Sequence, residues 1–222
     1  MIRKATLITF ASLMAILLCA ATASAGPLYS NFGPGMTYDN NYNTSGWYVG
    51  YTGTPGQNEV IAMPFIPNAT ANVADAILAL GWVPGTPNTP INVYLESDTG
   101  LGYPGTILAT LTQVGTIPNG PDGGGLVTFL APTHPLVTAG TEYWIVAQEP
   151  DLTSSQGWFF TVGDPTGPFA YDWNNSATGP WTATTNDVTA FQVDATPEPS
   201  SLLLFGSGIL GLAGILRKKV IG

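Results

Sequence analysis

Between residues 5 and 216 the chain has no lysine and no arginine. Its five basic residues, Arg3, Lys4, Arg217, Lys218 and Lys219, all sit at the two ends. Nucleic-acid binding needs Lys and Arg to neutralise phosphates, so no nucleic-acid partner is expected. Charge-driven docking on an anionic membrane is excluded for the same reason. Residues 26–196 carry 13 acidic side chains and no basic one. That stretch must hold together without salt bridges, through apolar burial and hydrogen bonds. Cysteine occurs once, at Cys19, and histidine once, at His134. Disulfides, thiol catalysis after residue 19 and histidine metal clusters are thereby ruled out. No phosphate-binding glycine loop is present.

What the chain does have is turn formers and aromatics. It holds 27 Gly and 19 Pro, with six Trp, nine Tyr and nine Phe, in 222 residues. Aromatic burial offsets chain entropy, so this is a turn-rich folded protein and not a disordered one.

Residues 1–25 have the layout of a secretory signal. Arg3 and Lys4 form the positive start, an apolar run extends from Leu7 to Cys19, and Ala23-Ser24-Ala25 is a small-residue cleavage site. Ala23 and Ala25 are the expected recognition residues, giving a mature start at Gly26. Leu18 before Cys19 does not fit lipoprotein processing.

The other end reads Thr196-Pro197-Glu198-Pro199-Ser200-Ser201, then an apolar run over Leu202–Leu216, then Arg217-Lys218-Lys219. Fifteen apolar residues make roughly 22 Å of helix, at the short edge of a membrane span. The basic cluster behind them is expected to stop transfer and stay cytoplasmic. Pro-Glu-Pro, a short Gly-rich apolar segment and a terminal basic cluster, in that order, resemble a PEP-CTERM sorting signal. The resemblance covers about residues 196–219. It implies a Gram-negative exporter in which an exosortase cuts the tail near Pro197, Glu198 and Pro199. The protein would be held in the inner membrane transiently, then reach the cell surface or the extracellular matrix. Exopolysaccharide is the implied partner there.

Between these ends lie short β-like runs separated by Gly, Pro, Asn and Asp. Expected strands are Gly46–Tyr51, Glu59–Ile66, Val73–Val83, Ile91–Glu96, Ile107–Val114, Gly125–Leu130, Glu142–Gln148, Gly157–Val162 and Val188–Val193. Ile91, Val93 and Leu95 share one face, as do Phe191 and Val193. Val73–Leu80 has helix-compatible Ala and Leu, but Gly81-Trp82 and the following Pro84 favour a strand. The expected fold is all-β: an antiparallel β-sandwich, jelly-roll-like, with an N-terminal signal helix and a C-terminal transmembrane helix. The expected domains are a signal peptide over 1–25, an extracellular sandwich over 26–195 and a sorting signal over 196–222. A second resemblance rests on Tyr29-Ser30-Asn31-Phe32-Gly33, Gly46-Trp47, Val93-Tyr94-Leu95-Glu96-Ser97-Asp98, Gly102-Tyr103-Pro104-Gly105 and Ala190-Phe191-Gln192-Val193. These segments look like the choice-of-anchor domains of bacterial surface proteins, closest to the R type. That likeness implies fold and location, not chemistry.

Candidate chemistry is sparse, and no enzyme is expected. His134 lies in Pro132-Thr133-His134-Pro135, a turn. Glu96 with Asp98 and Glu149 with Asp151 are carboxylate pairs two residues apart at strand ends, read either as the two carboxylates of a glycosidase or as solvated turn residues. No cofactor is expected, with calcium as the alternative. The metal candidates are Asp172 and Asn174, from loops that also include Asp39-Asn40-Asn41 and Asp122. Tyr171, Trp173, Trp181 and Asn174 are candidate glycan contacts, aromatic faces beside amide and carboxylate groups. The competing reading puts these aromatics and Trp158 in the core. The expected role is a structural or adhesive surface protein, with a carbohydrate-binding module as the alternative and a glycoside-active enzyme as a remote third.

Overall fold

The computed structural model describes residues 26–41, 44–54 and 56–197. The expected signal helix and tail helix, with Ala23, Ala25, Glu198, Pro199, Arg217, Lys218 and Lys219, lie outside the described residues. Among the described residues no helix is long and apolar enough to cross a membrane.

One compact unit spans Pro27–Thr196. It is all-β, with thirteen strands. These are β1 (Pro27–Ser30), β2 (Gly46–Tyr51), β3 (Asn58–Phe65), β4 (Ala71–Trp82), β5 (Asn92–Asp98), β6 (Pro104–Val114) and β7 (Gly125–Leu130). There follow β8 (Leu136–Val137), β9 (Tyr143–Gln148), β10 (Ser155–Phe159), β11 (Thr166–Asp172), β12 (Thr182–Asp187) and β13 (Phe191–Ala195).

The named strand pairs are antiparallel and build two sheets that join at both margins. In the first, β4 is the central strand. β7 pairs with its Asp75–Leu80 stretch on one edge. On the other edge β13 takes Val73–Leu78 and β10 takes Leu80–Trp82. β1 extends this sheet beyond β13, and β2 extends it beyond β10. The second sheet runs β6-β5-β9-β3-β11-β12. β6 belongs to both sheets, pairing β5 through Leu111 and β7 from Thr112 to Val114. At the opposite margin β2 meets β3 at Gly50–Glu59 and Tyr51–Asn58. The result is a sandwich-like body closed on both sides.

Alternation in the strands explains the core between the sheets. Val93 and Leu95 of β5, Ile61, Met63 and Phe65 of β3, and Phe191 and Val193 of β13 all point into one apolar cluster. Trp158 is fully buried there and donates its Nε1–H to Ala190 O at 3.0 Å. A smaller cluster covers the outer face of the second sheet, where Val60, Ala62, Trp144, Val146 and Ala170 pack under Ala177, Tyr94, Tyr103 and Trp181. Each fully buried large side chain contributes roughly 1.5–3 kcal/mol. This burial carries the stability in a body that has no cations to pair.

Register also sorts the connections into two poles. At one pole, Phe65 faces Tyr143, Tyr143 faces Ser97, and Asp98 faces Pro104. Both ends of the unit lie at this pole, because Pro27 faces Asp194 and Ala195 faces Val73. Asn68 ties the two sheets together here, donating its N–H to Leu28 O at 2.9 Å and its Nδ2–H to Pro27 O at 3.1 Å. The connections 66–70, 99–103 and 131–142 belong to this terminal pole. The connections 52–57, 83–91, 115–124, 149–154 and 173–181 belong to the distal pole.

Candidate functional site

Three places collect the residues with chemical potential: the exit of the last strand, the distal pole, and the Glu96 side of the second sheet.

The exit is short. β13 ends at Ala195, and Thr196 donates its backbone N–H to Asn72 O at 2.8 Å. The next residue, Pro197, is exposed. Proline has no N–H to donate, so the ladder cannot continue through it. Among the described residues, Thr196 thus makes the last backbone hydrogen bond, immediately before Pro197.

At the distal pole the loop after β11 is organised by Asp172, which is 2% exposed. Its Oδ2 accepts from the N–H of Asn174 at 3.1 Å and of Ser176 at 3.0 Å. Its Oδ1 accepts from Asn174 Nδ2 at 2.8 Å. Asp172 and Asn174 thus meet each other within one turn, as Asp commonly does. The other acidic loops behave alike. Asp39 holds Ser45 Oγ at 2.7 Å and Asn41 N–H at 3.1 Å. Asp122 holds Asn119 Nδ2 at 2.8 Å. Among the described residues, no three His, Cys, Asp or Glu side chains converge where a metal could sit.

The aromatic candidates separate by environment. Trp158 is core. Trp181 is half-buried against the outer cluster, and Tyr171 packs against the main core. Trp173 is 40% exposed. An aromatic row links them. Trp47 stacks on Phe169 at 5.3 Å, Phe169 meets Tyr171 at 5.7 Å, and Tyr171 meets Trp173 edge-on at 5.3 Å. The row rises along β11 from the interior and reaches solvent at the distal pole. Asn174 is exposed beside it.

The Glu149–Asp151 pair sits at the same pole, in a network the sequence did not reveal. Thr89 Oγ1 lies 3.2 Å from Glu149 Oε2, 3.4 Å from Asp151 Oδ2 and 2.8 Å from Ser154 Oγ. Ser154 Oγ donates to Asp151 Oδ2 at 2.7 Å. Asp151 Oδ1 also accepts from the N–H groups of Thr153 and Ser154, each at 2.7 Å. Desolvation opposes ionisation of Asp151, but these bonds together bring its pKa down to about 2. Burial pushes Glu149 the other way, to about 8, against the partial opposition of Gln156 and Thr89. A hydroxyl has one proton, so Thr89 can donate to only one of its three neighbours. The two carboxyls are thus driven apart, one neutral and buried, one ionised and bonded to its turn. The available signal was Asp151-Leu152-Thr153-Ser154, an acid followed by hydroxyls at turn spacing. Thr89, 60 residues away in sequence from Glu149, gave none.

Glu96 and Asp98 both lie against Trp144 on the outer face of the second sheet, in unlike surroundings. The β5–β6 register shifts on both sides of Glu96. Asp98 Oδ1 accepts from Trp144 Nε1 at 2.9 Å, and its Oδ2 takes the N–H of Gly100. Glu96 is fully buried beside Trp144, neither carboxyl oxygen has a protein partner, and burial raises it to about 8. Glu59, which the sequence did not single out, is raised by burial to about 7. His134 is exposed, with Nδ1 3.1 Å from Val73 O, at the terminal pole.

Residues 195–218 match the PEP-CTERM protein-sorting motif. The match begins at the last residue of β13 and takes in Pro197, Glu198, Pro199 and the basic residues Arg217 and Lys218. It implies an exported protein that is anchored in the membrane transiently and processed by exosortase. No curated protein matches the chain.

Proposed function

We propose that the chain is a surface or matrix protein of a Gram-negative bacterium, released when exosortase cuts near Pro197-Glu198-Pro199. The carrying observation is positional. Pro197 follows directly on the last hydrogen bond of the described body, so a cut at Pro197-Glu198-Pro199 breaks none of the described strand pairs. The body then functions as a jelly-roll-like, choice-of-anchor type module in an exopolysaccharide matrix, with a structural or adhesive role, no enzymatic activity and no required cofactor. Signal cleavage after Ala25 and stop-transfer by Arg217, Lys218 and Lys219 complete this reading. Pro197→Ala with Pro199→Ala is the direct test. The variant should accumulate as the uncut membrane form. Unchanged disappearance of that form would overturn the proposal.

A second reading rests on the aromatic row. Trp173, exposed beside Asn174 and backed by Tyr171, offers a sugar-stacking face at the pole away from Pro27 and Ala195. Trp181 stands on the neighbouring outer cluster. On this reading the released body grips polysaccharide through its distal pole.

A further inference from the structure

The position of the exit constrains how the body sits while it is still tethered. Five residues, 197–201, separate Thr196 from the apolar run that begins at Leu202. At a maximum of about 3.5 Å per residue, Thr196 stays within roughly 20 Å of the start of the membrane segment. The headgroup layer takes up about 6 Å of that distance. The tether therefore leaves the body at most about 14 Å of clearance from the bilayer surface, and the terminal pole, where the exit lies, is within reach of it. The other membrane-directed segment of the sequence joins at the same pole, because Pro27 pairs with Asp194.

Three large apolar side chains are exposed at that pole. Leu101 is 70% exposed, Leu136 62% and Ile66 52%, three of the four most exposed large apolar side chains of the described residues. They come from three separate connections that the fold gathers at one end. Leu136 faces Asn72 in the β4–β8 pair, and Asn72 O holds Thr196. Leu101 tips the β5–β6 turn, and Ile66 follows the last residue of β3. Singly, exposed leucines need no explanation. Gathered beside a short membrane tether, they have a partner within reach.

We propose that the terminal pole is a lipid-docking surface, used while the tail anchors the chain, with Ile66, Leu101 and Leu136 resting in the headgroup layer of the same membrane. This rests on the reading of residues 202–216 as the membrane anchor. The contact is apolar, since the body has no cation to attract anionic lipid. Docking would present Pro197-Glu198-Pro199 at the bilayer surface and turn the distal pole outward. Cutting the tail removes the tether, and three apolar side chains alone would not retain the released body.

The test uses the full chain with Cys19→Ser, reconstituted in phosphatidylcholine vesicles. An environment-sensitive dye is placed singly at Ile66→Cys, Leu101→Cys, Leu136→Cys or, at the exposed distal pole, Thr178→Cys. Headgroup spin-labelled lipid serves as quencher. Because quenching falls steeply over the width of the body, the three terminal-pole dyes should be quenched roughly threefold or more above the Thr178 dye. Equal quenching at all four positions, in vesicles that float with the protein, overturns the docking surface and leaves the anchor reading intact. Protein that does not float with the vesicles overturns both.

Discussion

Thr196 donates its backbone N–H to Asn72 O, and the residue after it is the exposed Pro197 that opens the sorting motif. Fold and address meet at this single bond. A protein built this way can lose its tail without losing its core. The remaining predictions test the body, the distal pole and the processing event.

Trp158 and Trp173 should respond differently to truncation. Trp158 is fully buried and bonded to Ala190 O. Trp158→Ala should cost roughly 3–5 kcal/mol, read as a lower midpoint in urea unfolding. Trp173→Ala should leave the midpoint nearly unchanged, yet reduce co-sedimentation with the exopolysaccharide of the source organism. An unfolded Trp173→Ala protein would move this residue into the core. A folded one with undiminished binding would remove the distal aromatic row from the glycan reading.

Gly50 should tolerate no side chain. It sits at φ 93°, and a Cβ there would collide with Glu149 Cγ and Ser154 O. Gly50→Ala should destabilise the body by about 1–3 kcal/mol, combining left-handed strain with overpacking. A midpoint equal to wild type would mean that the Glu149 network gives way freely.

Stability should fall as pH rises from about 4.5 to 8. Glu59, Glu96 and Glu149 are held neutral by burial to about 7, 8 and 8, so in this window the folded state binds more protons than the unfolded chain. Each contributes a loss of at most about 1.4 kcal/mol per pH unit. Asp151 works the opposite way, stabilising above its unfolded pKa and losing that contribution as pH drops towards 2. The melting temperature should peak in the mildly acidic range. Glu96→Gln and Glu149→Gln should each flatten the alkaline side, and an unchanged slope in both would place those carboxyls in solvent.

Much of the body was legible in its sequence. β2 and β7 begin and end where turn residues and alternation put them. Val73–Val83 resolved as a strand, with Ala76, Ala79 and Leu80 buried in contacts a lone helix would not have had. β11 and β12 were missed for physical reasons. Gly167-Pro168 reads as a breaker, but Pro168 falls where β11 pairs only with β12, outside the Ala170–Asp172 stretch that also pairs β3. β12 is a polar edge strand, exposed along Thr182–Asn186, so it has no apolar alternation to read. β1 and β8, at four and two residues, are too short for a pattern. The Asp172–Asn174 and Glu149–Asp151 groups were visible as residues. What they do depended on Ser176, Thr89 and Ser154, partners that only the folded chain brings near.

The most direct test of the account is the intact mass of the protein recovered outside the cell, from a strain with exosortase and from one without it. The account predicts a chain ending near Pro197-Glu198-Pro199 in the first strain. In the second, the tail should remain and the protein should stay in the membrane fraction. The same extracellular mass from both strains would contradict it.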